Sequence, residues 1–563
     1  MALFVKPSPW PSSSPITDSA TLGILIRSLR ARYSLPKRSK QHHPRSPSSS
    51  WSAAAASIGR VEESHRRWRR GRVDVVIGAR GAAAEEEEEA GEGGESVGAV
   101  VRVVAVVGAG SVSPLKRASW EEVMLHTAKR LRWVEEGFEM LVFTDNSCRS
   151  DGEMTQNLLK KLQLADVLVV VSVNNSESVK WIQIHSRNIP NIICFESSSS
   201  LTNKLGGYLI SDEMRGNIFS GITNISGSMN AKGRTEVIQT VAEAWDRHNS
   251  DDIRFCILVI INGYIRPVSV LNNLRSKGFS TLSCMAKNCG PQILNCLLDP
   301  NCRKALQCLN QCSPVDQVCN YRCIASYESP ALEAFSLCVL QKHNCLQLDA
   351  KIPDRPYVPP MVKFQGSELC HESAEDLFVG WLGELDWSWR VVAGQNPAYD
   401  QFPCQYQLFY RGKARGSFWY EPVFQVRTLD GRIVWRRRKY RVKRGTAPGT
   451  FSFSVLDNGV VSNEYWTIVD VADDLSWGLF HYHGAARVAG QSYTGAVLVS
   501  PDGKYPREVE RPGLASALEK CGIKVWELFE VDNCSCQGAP LGLPEGSSFH
   551  QKIRIGDRKL SSI

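Results

Sequence analysis

The chain has 563 residues, enough for roughly three or four domains, and its 43% apolar and 22% charged residues exclude a wholly disordered polymer. No run of about 18 apolar residues occurs, so no membrane-spanning helix is expected; "FCILVIINGYI" (Phe255–Ile265) is too short. The formal charge of +8 gives no support for a nucleic-acid partner, because residues 1–72 alone carry a net +11 and leave the remainder near −3.

Residues 1–72 are rich in Ser, Pro, Ala and Arg and read as an organellar transit peptide. Residues 73–96, with "AAAEEEEEAGEGG", read as a disordered acidic linker. From 97 to 250, four Val/Ile-rich runs alternate with helical patterns. The runs are "GAVVRVVAVVG", "EMLVFTD", "DVLVVVSV" and "NIICFES". Such alternation predicts a Rossmann-like α/β domain with a parallel sheet, and Ser119 with Glu122 marks a capping box. "GAGSVSP" (Gly108–Pro114) follows the first strand but lacks the third glycine of a dinucleotide loop, so it reads as a tight turn. Residues 251–283 read as a connector, and the apolar run after Ser250 fits either a helix or a buried strand.

Ten of the 18 cysteines fall within 284–345. No C-x-x-C occurs and the block holds one histidine, so neither a zinc knuckle nor a thioredoxin-like centre is expected, and no metal site is assigned. Spacings of i, i+4 put Cys308 and Cys312 on one helix face and Cys319 and Cys323 on another. An antiparallel pair then predicts Cys312–Cys319 inside Cys308–Cys323. The same nesting gives Cys289–Cys296 inside Cys284–Cys302, with Cys338–Cys345 closing a further loop. Sequence alone permits many other pairings. Residues 346–383 read as a linker.

Residues 384–536 hold about eight short β-runs followed by a helix, with "LDG" (Leu429–Gly431) and "LDNG" (Leu456–Gly459) as hairpin signals. This predicts an up-and-down antiparallel barrel enclosing one small ligand, and 537–563 a tail. The basic run "WRRRKYRVKR" (Trp435–Arg444) reads as a charged solvent face or, alternatively, a contact with anionic membrane lipids or an acidic partner. "HYH" (His481–His483) reads as a strand face.

From Cys284 to Cys536 the chain resembles the violaxanthin de-epoxidases of plant chloroplasts. The cysteine spacing, "NPAYDQFPCQ" (Asn396–Gln405), "RTLD" (Arg427–Asp430), "GAV" (Gly495–Val497) and "VDNC" (Val531–Cys534) carry the resemblance. The whole architecture looks like the de-epoxidase-related branch of plastid proteins. The resemblance implies a lipocalin barrel behind a disulfide-rich helical domain, with the nested pairing and with Cys404 bridged to Cys534 or Cys536. It implies removal of epoxide oxygen from xanthophylls with ascorbate as co-substrate, no bound cofactor, and a carotenoid or other apolar isoprenoid as ligand. The family's acid position falls on Asn463, which cannot protonate an epoxide, with Glu464 a substitute only if the strand is bulged. Trp389, Asp400, Gln405, Tyr465 and Tyr482 are the other expected cavity residues. Pro403, Gln407 and Tyr410 stand where the family has acid-sensing groups. The alternatives are a lipocalin that binds isoprenoids without catalysis, and an interaction protein whose α/β domain carries the function.

Overall fold

A computed structural model describes residues 100–549 apart from 116–117, 150–151, 203–228, 249, 273–278, 313–315, 380–388, 397–401, 414–417 and 508–510. The transit peptide, the acidic linker, Asp400 and the last residues of the tail lie outside the described residues.

The first layered unit is a four-stranded parallel sheet. Its strands are β1 (Val101–Val107), β2 (Phe138–Thr144), β3 (Val167–Val171) and β4 (Asn191–Phe195), in spatial order β2-β1-β3-β4. Val-rich strands buried on both faces need helices on both sides. These include α1 (Trp120–Val134), α2 (Glu153–Leu162) and α3 (Ser176–His185). Ser119 caps α1 by accepting from Glu122 N. A Cβ on Gly108 would lie 2.1 Å from the carbonyl oxygen of Ser172, so this glycine serves the close approach of the chain after β1 to the end of β3.

Beyond α4 (Met229–Trp245), the apolar run after Ser250 is helical, as α5 (Ser250–Tyr264). Ile253, Cys256, Ile257, Ile260 and Ile261 of α5 join the core of the α/β layer. The stretch read as a connector from 251 therefore belongs in part to the α/β domain, because its apolar positions repeat at helical spacing and bury one face.

The cysteine-rich segment is helical: α6 (Phe279–Asn288), α7 (Gly290–Leu298), α8 (Pro300–Gln311), α9 (Gln317–Tyr327) and α10 (Pro330–Ser336), the last running on into a π-helical turn at Leu337–Lys342. Cys308–Cys323 and Cys312–Cys319 join α8 to α9 as the hairpin reading expects. The other three expected pairs are corrected. Cys296 bonds Cys302, Cys289 bonds Cys338 and Cys284 bonds Cys345. The nested reading needs a hairpin between Cys289 and Cys296, but Cys289 is itself the N-cap of α7. The turn comes later, where Asp299 caps α8 and Pro300 opens it, and Cys296–Cys302 spans that turn. This leaves Cys284 and Cys289 facing the π-helical turn near Cys338 and Cys345.

The stretch read as a linker over 346–383 contains a further helix, α11 (His371–Val379), just ahead of the barrel. The barrel strands are β5 (Arg390–Gly394), β6 (Tyr406–Arg411), β7 (Phe418–Arg427), β8 (Ile433–Arg437), β9 (Tyr440–Arg444), β10 (Thr450–Asp457), β11 (Val460–Val471), β12 (Gly478–Ala486) and β13 (Gln491–Ser500). Antiparallel pairing runs from β5 through β6, β7, β9, β10, β11 and β12 to β13, and β13 closes onto β5, giving a lipocalin-like barrel of eight strands. β8 pairs with the second half of β7. The turns at Asp430-Gly431 and Asn458-Gly459 join β7 to β8 and β10 to β11. α12 (Arg511–Lys520) packs Leu514, Ala517 and Leu518 against the outer face of β11 and β12. Cys404 bonds Cys536, tying the start of β6 to the C-terminal segment, and Cys534 keeps a free thiol. Among the described residues no helix is long and apolar enough to cross a membrane.

Candidate functional site: an aromatic cavity holding a buried acid

Alternation along β11 decides what the barrel interior presents. Trp466 and Ile468 point into the core, so Glu464 does too, in phase with them. Glu464 is 8% exposed, whereas Asn463 and Tyr465 are exposed on the outer surface. The expectation that Asn463 occupies the acid position is thus corrected: the side chain in the barrel is a carboxyl, and no bulge is needed to bring it there. The register irregularity in β11 lies farther on, between Ile468 and Asp470.

The cavity around Glu464 leaves about 60 Å³ of room for the centres of water-sized molecules, within about 650 Å³ of empty space that runs out into open solvent. Tyr420, Tyr440, Trp466, Tyr482 and Tyr493 supply aromatic walls, with Gln405, Gln407, Arg438 and Asp457 as polar points. Trp466 Nε1 donates to Glu464 at 2.8 Å and Tyr493 Oη donates to its other oxygen at 2.7 Å. Burial pushes the Glu464 carboxyl above the ordinary glutamate value, against the opposite pull of those two donors. Two glycines make room for this arrangement. A Cβ on Gly484 would lie 2.8 Å from both Glu464 and Tyr493, and one on Gly495 would lie 2.7 Å from Tyr482 Oη.

Of the expected cavity residues, Gln405 and Tyr482 line the cavity. Gln405 donates to the carbonyl of Phe402 at 2.9 Å. Trp389 is inside the barrel but deeper, with its Nε1 donating to Leu377 O at 3.0 Å. Tyr465 is corrected: it faces outward and stacks on His483 at 5.5 Å. Gln407 lines the cavity and accepts from Tyr420 Oη, while Tyr410 donates to Glu421. His481, buried and lowered to about 3 by desolvation and then by His483, meets Thr494 Oγ1 at 3.1 Å.

Sequence reasoning missed Tyr493, Trp466, Asp457 and Tyr321. Tyr493 was signalled by its phase with Gly495 and Val497 along β13. Tyr321 had no local signal, because it reaches the cavity from α9 of the cysteine-rich segment, where it packs on Phe402 at 5.4 Å and Phe424 at 5.9 Å.

The basic run divides: Arg436, Arg437 and Arg438 are engaged within the molecule, while its other cations form an exposed charged face. Arg436 and Arg438 both pair with Glu328 at the end of α9, at 2.5 and 2.7 Å, and Arg438 also meets Asp457 at 2.5 Å. Burial opposes ionisation of Glu328, but the two guanidinium groups hold it below the ordinary glutamate value. Asp457 is raised, because its burial outweighs Arg438. Arg437 pairs with Glu421, and Arg444 with Glu372 and Glu375. Lys439, Arg441, Lys443 and Arg444 are exposed.

Residues 281–533 match the family model described as the VDE lipocalin domain. The chain is similar to the chloroplastic violaxanthin de-epoxidase of Nicotiana tabacum, 23% identical over 287 residues, covering 50% of this chain and 55% of the relative. The enzyme of the same name from Arabidopsis thaliana is 23% identical over 267 residues, covering 45% and 52%, and that of Spinacia oleracea 20% over 286 residues, covering 50% and 56%. The chain therefore spans about half the length of the curated relatives it matches. Among solved structures, lobster apocrustacyanin A1 is similar at a TM-score of 0.21 and 11% identity, over 32% of this chain and 93% of its own. Apocrustacyanin C1 gives a TM-score of 0.21 and 12% identity over the same shares.

Proposed function

We propose, on the premise that this chain is a violaxanthin de-epoxidase-related protein built around a VDE lipocalin domain, that it removes the oxygen of an epoxidised xanthophyll end group. The observation that carries this reading is Glu464, a carboxyl buried among aromatic rings and pushed upward in pKa by that burial. A carboxylic acid that keeps its proton can deliver it to an epoxide oxygen as the C–O bond breaks. Ascorbate is the co-substrate in this reading. It supplies two electrons and two protons and becomes dehydroascorbate, the epoxide oxygen leaves as water, and a C=C bond forms between the two former epoxide carbons. No resident cofactor is required. The printed names of the relatives carry the word chloroplastic, and we assign this chain to the chloroplast on that ground.

A second reading is an isoprenoid-binding barrel without catalysis. It is favoured by the hydrogen bonds from Trp466 and Tyr493, which satisfy both Glu464 oxygens as a purely structural buried acid would need. One experiment separates the two. Purified full-length protein is incubated with violaxanthin and ascorbate in monogalactolipid micelles at mildly acidic pH, beside Glu464→Gln. De-epoxidised product from the wild type, lost in the variant while pigment still binds, supports the enzyme. Pigment binding with no product from either protein supports the second reading. Absence of pigment binding from both sinks the two together.

A further inference from the structure

One end of the barrel is filled by its own chain. In α11, Ala374, Leu377, Phe378 and Val379 are buried in the core that the barrel strands enclose. The Phe378 ring stacks on Phe451 at 4.3 Å and meets Phe480 at 5.1 Å, Phe409 at 5.3 Å, Phe453 at 5.6 Å and the edge of Trp466 at 5.9 Å. Those five rings come from β6, β10, β11 and β12, so Phe378 lies inside the ring of strands. The helix is pinned there. Glu375 pairs with Arg411 at the end of β6 and Arg444 at the end of β9, and the Leu377 carbonyl accepts from Trp389.

The cavity occupies the other half of the same interior. Gln405, Gln407 and Tyr440 lie at the opposite ends of their segments from Arg411 and Arg444. Trp466 stands between the halves, lining the cavity above and touching Phe378 below. Glu464 is two residues above Trp466 on the same strand, about 7 Å along it. An eight-stranded barrel has room for packed side chains or one small ligand, and here packed side chains fill one half and leave the cavity in the other.

We infer that Phe378 determines specificity from behind the cavity floor: packed beneath Trp466, it holds that floor in place and limits the ligand to one compact end group that enters head first, with the rest of the chain left at the mouth. The floor lies close beneath Glu464, so the group to be protonated must sit at the leading end of the ligand. An epoxide within a long chain would need several more carbons to pass the acid, and Phe378 with Trp466 occupies their space. The end-group part of this inference rests on the reading proposed above; the floor itself rests on the packing of Phe378.

The test uses full-length protein and two probes, 5,6-epoxy-β-ionone as an isolated end group and cis-parinaric acid as a linear C18 chain. Binding is followed by quenching of tryptophan emission, with near-ultraviolet circular dichroism to read the fold. The wild type is expected to bind the ring compound and to bind the chain at least tenfold more weakly. Phe378→Ala is expected to tighten chain binding at least tenfold and to leave the ring compound within threefold. Phe378→Val, which removes less of the plug, is expected to gain about threefold for the chain, and it carries the test if Phe378→Ala loses its near-ultraviolet signal. Equal chain binding by wild type and variants overturns the floor. If the wild type binds neither probe while a variant gains the chain, the floor stands and the proposed function fails. If the wild type binds the ring compound and neither variant gains the chain, the proposed function survives and the floor is rejected.

Discussion

Asn463 and Glu464 are neighbours on one strand, and which of them faces inward decides whether the barrel holds an acid. The sequence of β11 cannot settle this, because both phases carry apolar residues: Trp466 and Ile468 in one, Tyr465 and Val469 in the other. Both sides of the strand are covered over part of its length, Ile468 by the interior and Val469 beneath the outer packing, so alternation loses its usual meaning. The closure of the barrel resolves the phase, and no local window contains it. Replacing Glu464 by Gln is expected to lower the de-epoxidation rate by about 10²- to 10⁴-fold, the usual worth of a positioned general acid. Asn463→Asp, on the outer face, is expected to leave the rate within about twofold; a large gain would restore Asn463 to the acid position. The pH dependence has a definite sign. The folded pKa of Glu464 is raised, so its contribution to stability is full below the ordinary glutamate value and is lost as pH rises through the folded value. Melting midpoints measured from acidic to neutral pH should therefore fall more steeply in the wild type than in Glu464→Gln.

At the scale of elements, features set by neighbours in sequence were legible and features set by distant packing were not. The strands of the parallel sheet, the Ser119 cap and the hairpin turns at Gly431 and Gly459 all follow from short-range pattern. So does the α8–α9 hairpin, whose two disulfides close sequence separations of only 15 and 7 residues. The bonds Cys284–Cys345 and Cys289–Cys338 close separations of 61 and 49 residues, and the return of the π-helical turn onto α6 that makes them is a tertiary event. α11 escaped notice for a related reason: nine residues with Ala374, Leu377 and Phe378 buried give little periodicity, and their packing partners are strands that come later. A non-reduced proteolytic digest is expected to yield linked peptides for Cys284–Cys345, Cys289–Cys338 and Cys296–Cys302; peptides linking Cys289 to Cys296 would reject this arrangement. The hairpin also has a task beyond its own stability. Tyr321 lies between Cys319 and Cys323 on α9 and covers part of the cavity, and Glu328 follows at its end. Replacing Cys308 and Cys323 by Ser opens a loop whose closure is worth about 3 kcal/mol. A lower melting midpoint is expected, together with faster hydrogen exchange at Tyr321 than at the Trp120 core of the α/β layer.

At the scale of the whole molecule, the α/β layer is joined to the barrel by a buried charge cluster that no sequence pattern marks. Arg130 of α1 and Glu527 of the segment after α12 are 397 positions apart, yet their side chains are 3% and 1% exposed and meet at 2.9 Å. His126 lies 2.9 Å from the other Glu527 oxygen, Ser250 donates to the carboxylate, and Asp251 takes a second Arg130 nitrogen at 2.6 Å. Arg254 stands 3.0 Å from Asp251. Gln395, at the end of β5 and beside Gly495 of the cavity wall, donates to Glu527 at 3.4 Å. Burial disfavours the Glu527 anion, but Arg130 and then His126 outweigh it and bring the carboxyl down to about 2 from 4.5. A depressed carboxyl stabilises the folded state fully above its unfolded value, and that stabilisation is lost as pH falls from about 4.5 to about 2. The shift corresponds to something on the order of 3 kcal/mol. Removing the charge alone leaves Arg130 buried with half its partners, which is more harmful than removing both ions. Glu527→Gln is therefore expected to lose about 3–5 kcal/mol at neutral pH, while Arg130→Met paired with Glu527→Gln recovers part of that loss. Both variants should lack the wild type's acid-dependent fall in melting midpoint between pH 4.5 and 2. If Glu527→Gln keeps the wild-type pH slope, this cluster is not what couples the α/β layer to the barrel. If the slope disappears while ligand binding in the cavity also weakens, the contact through Gln395 and Gly495 carries the state of the α/β layer into the cavity wall.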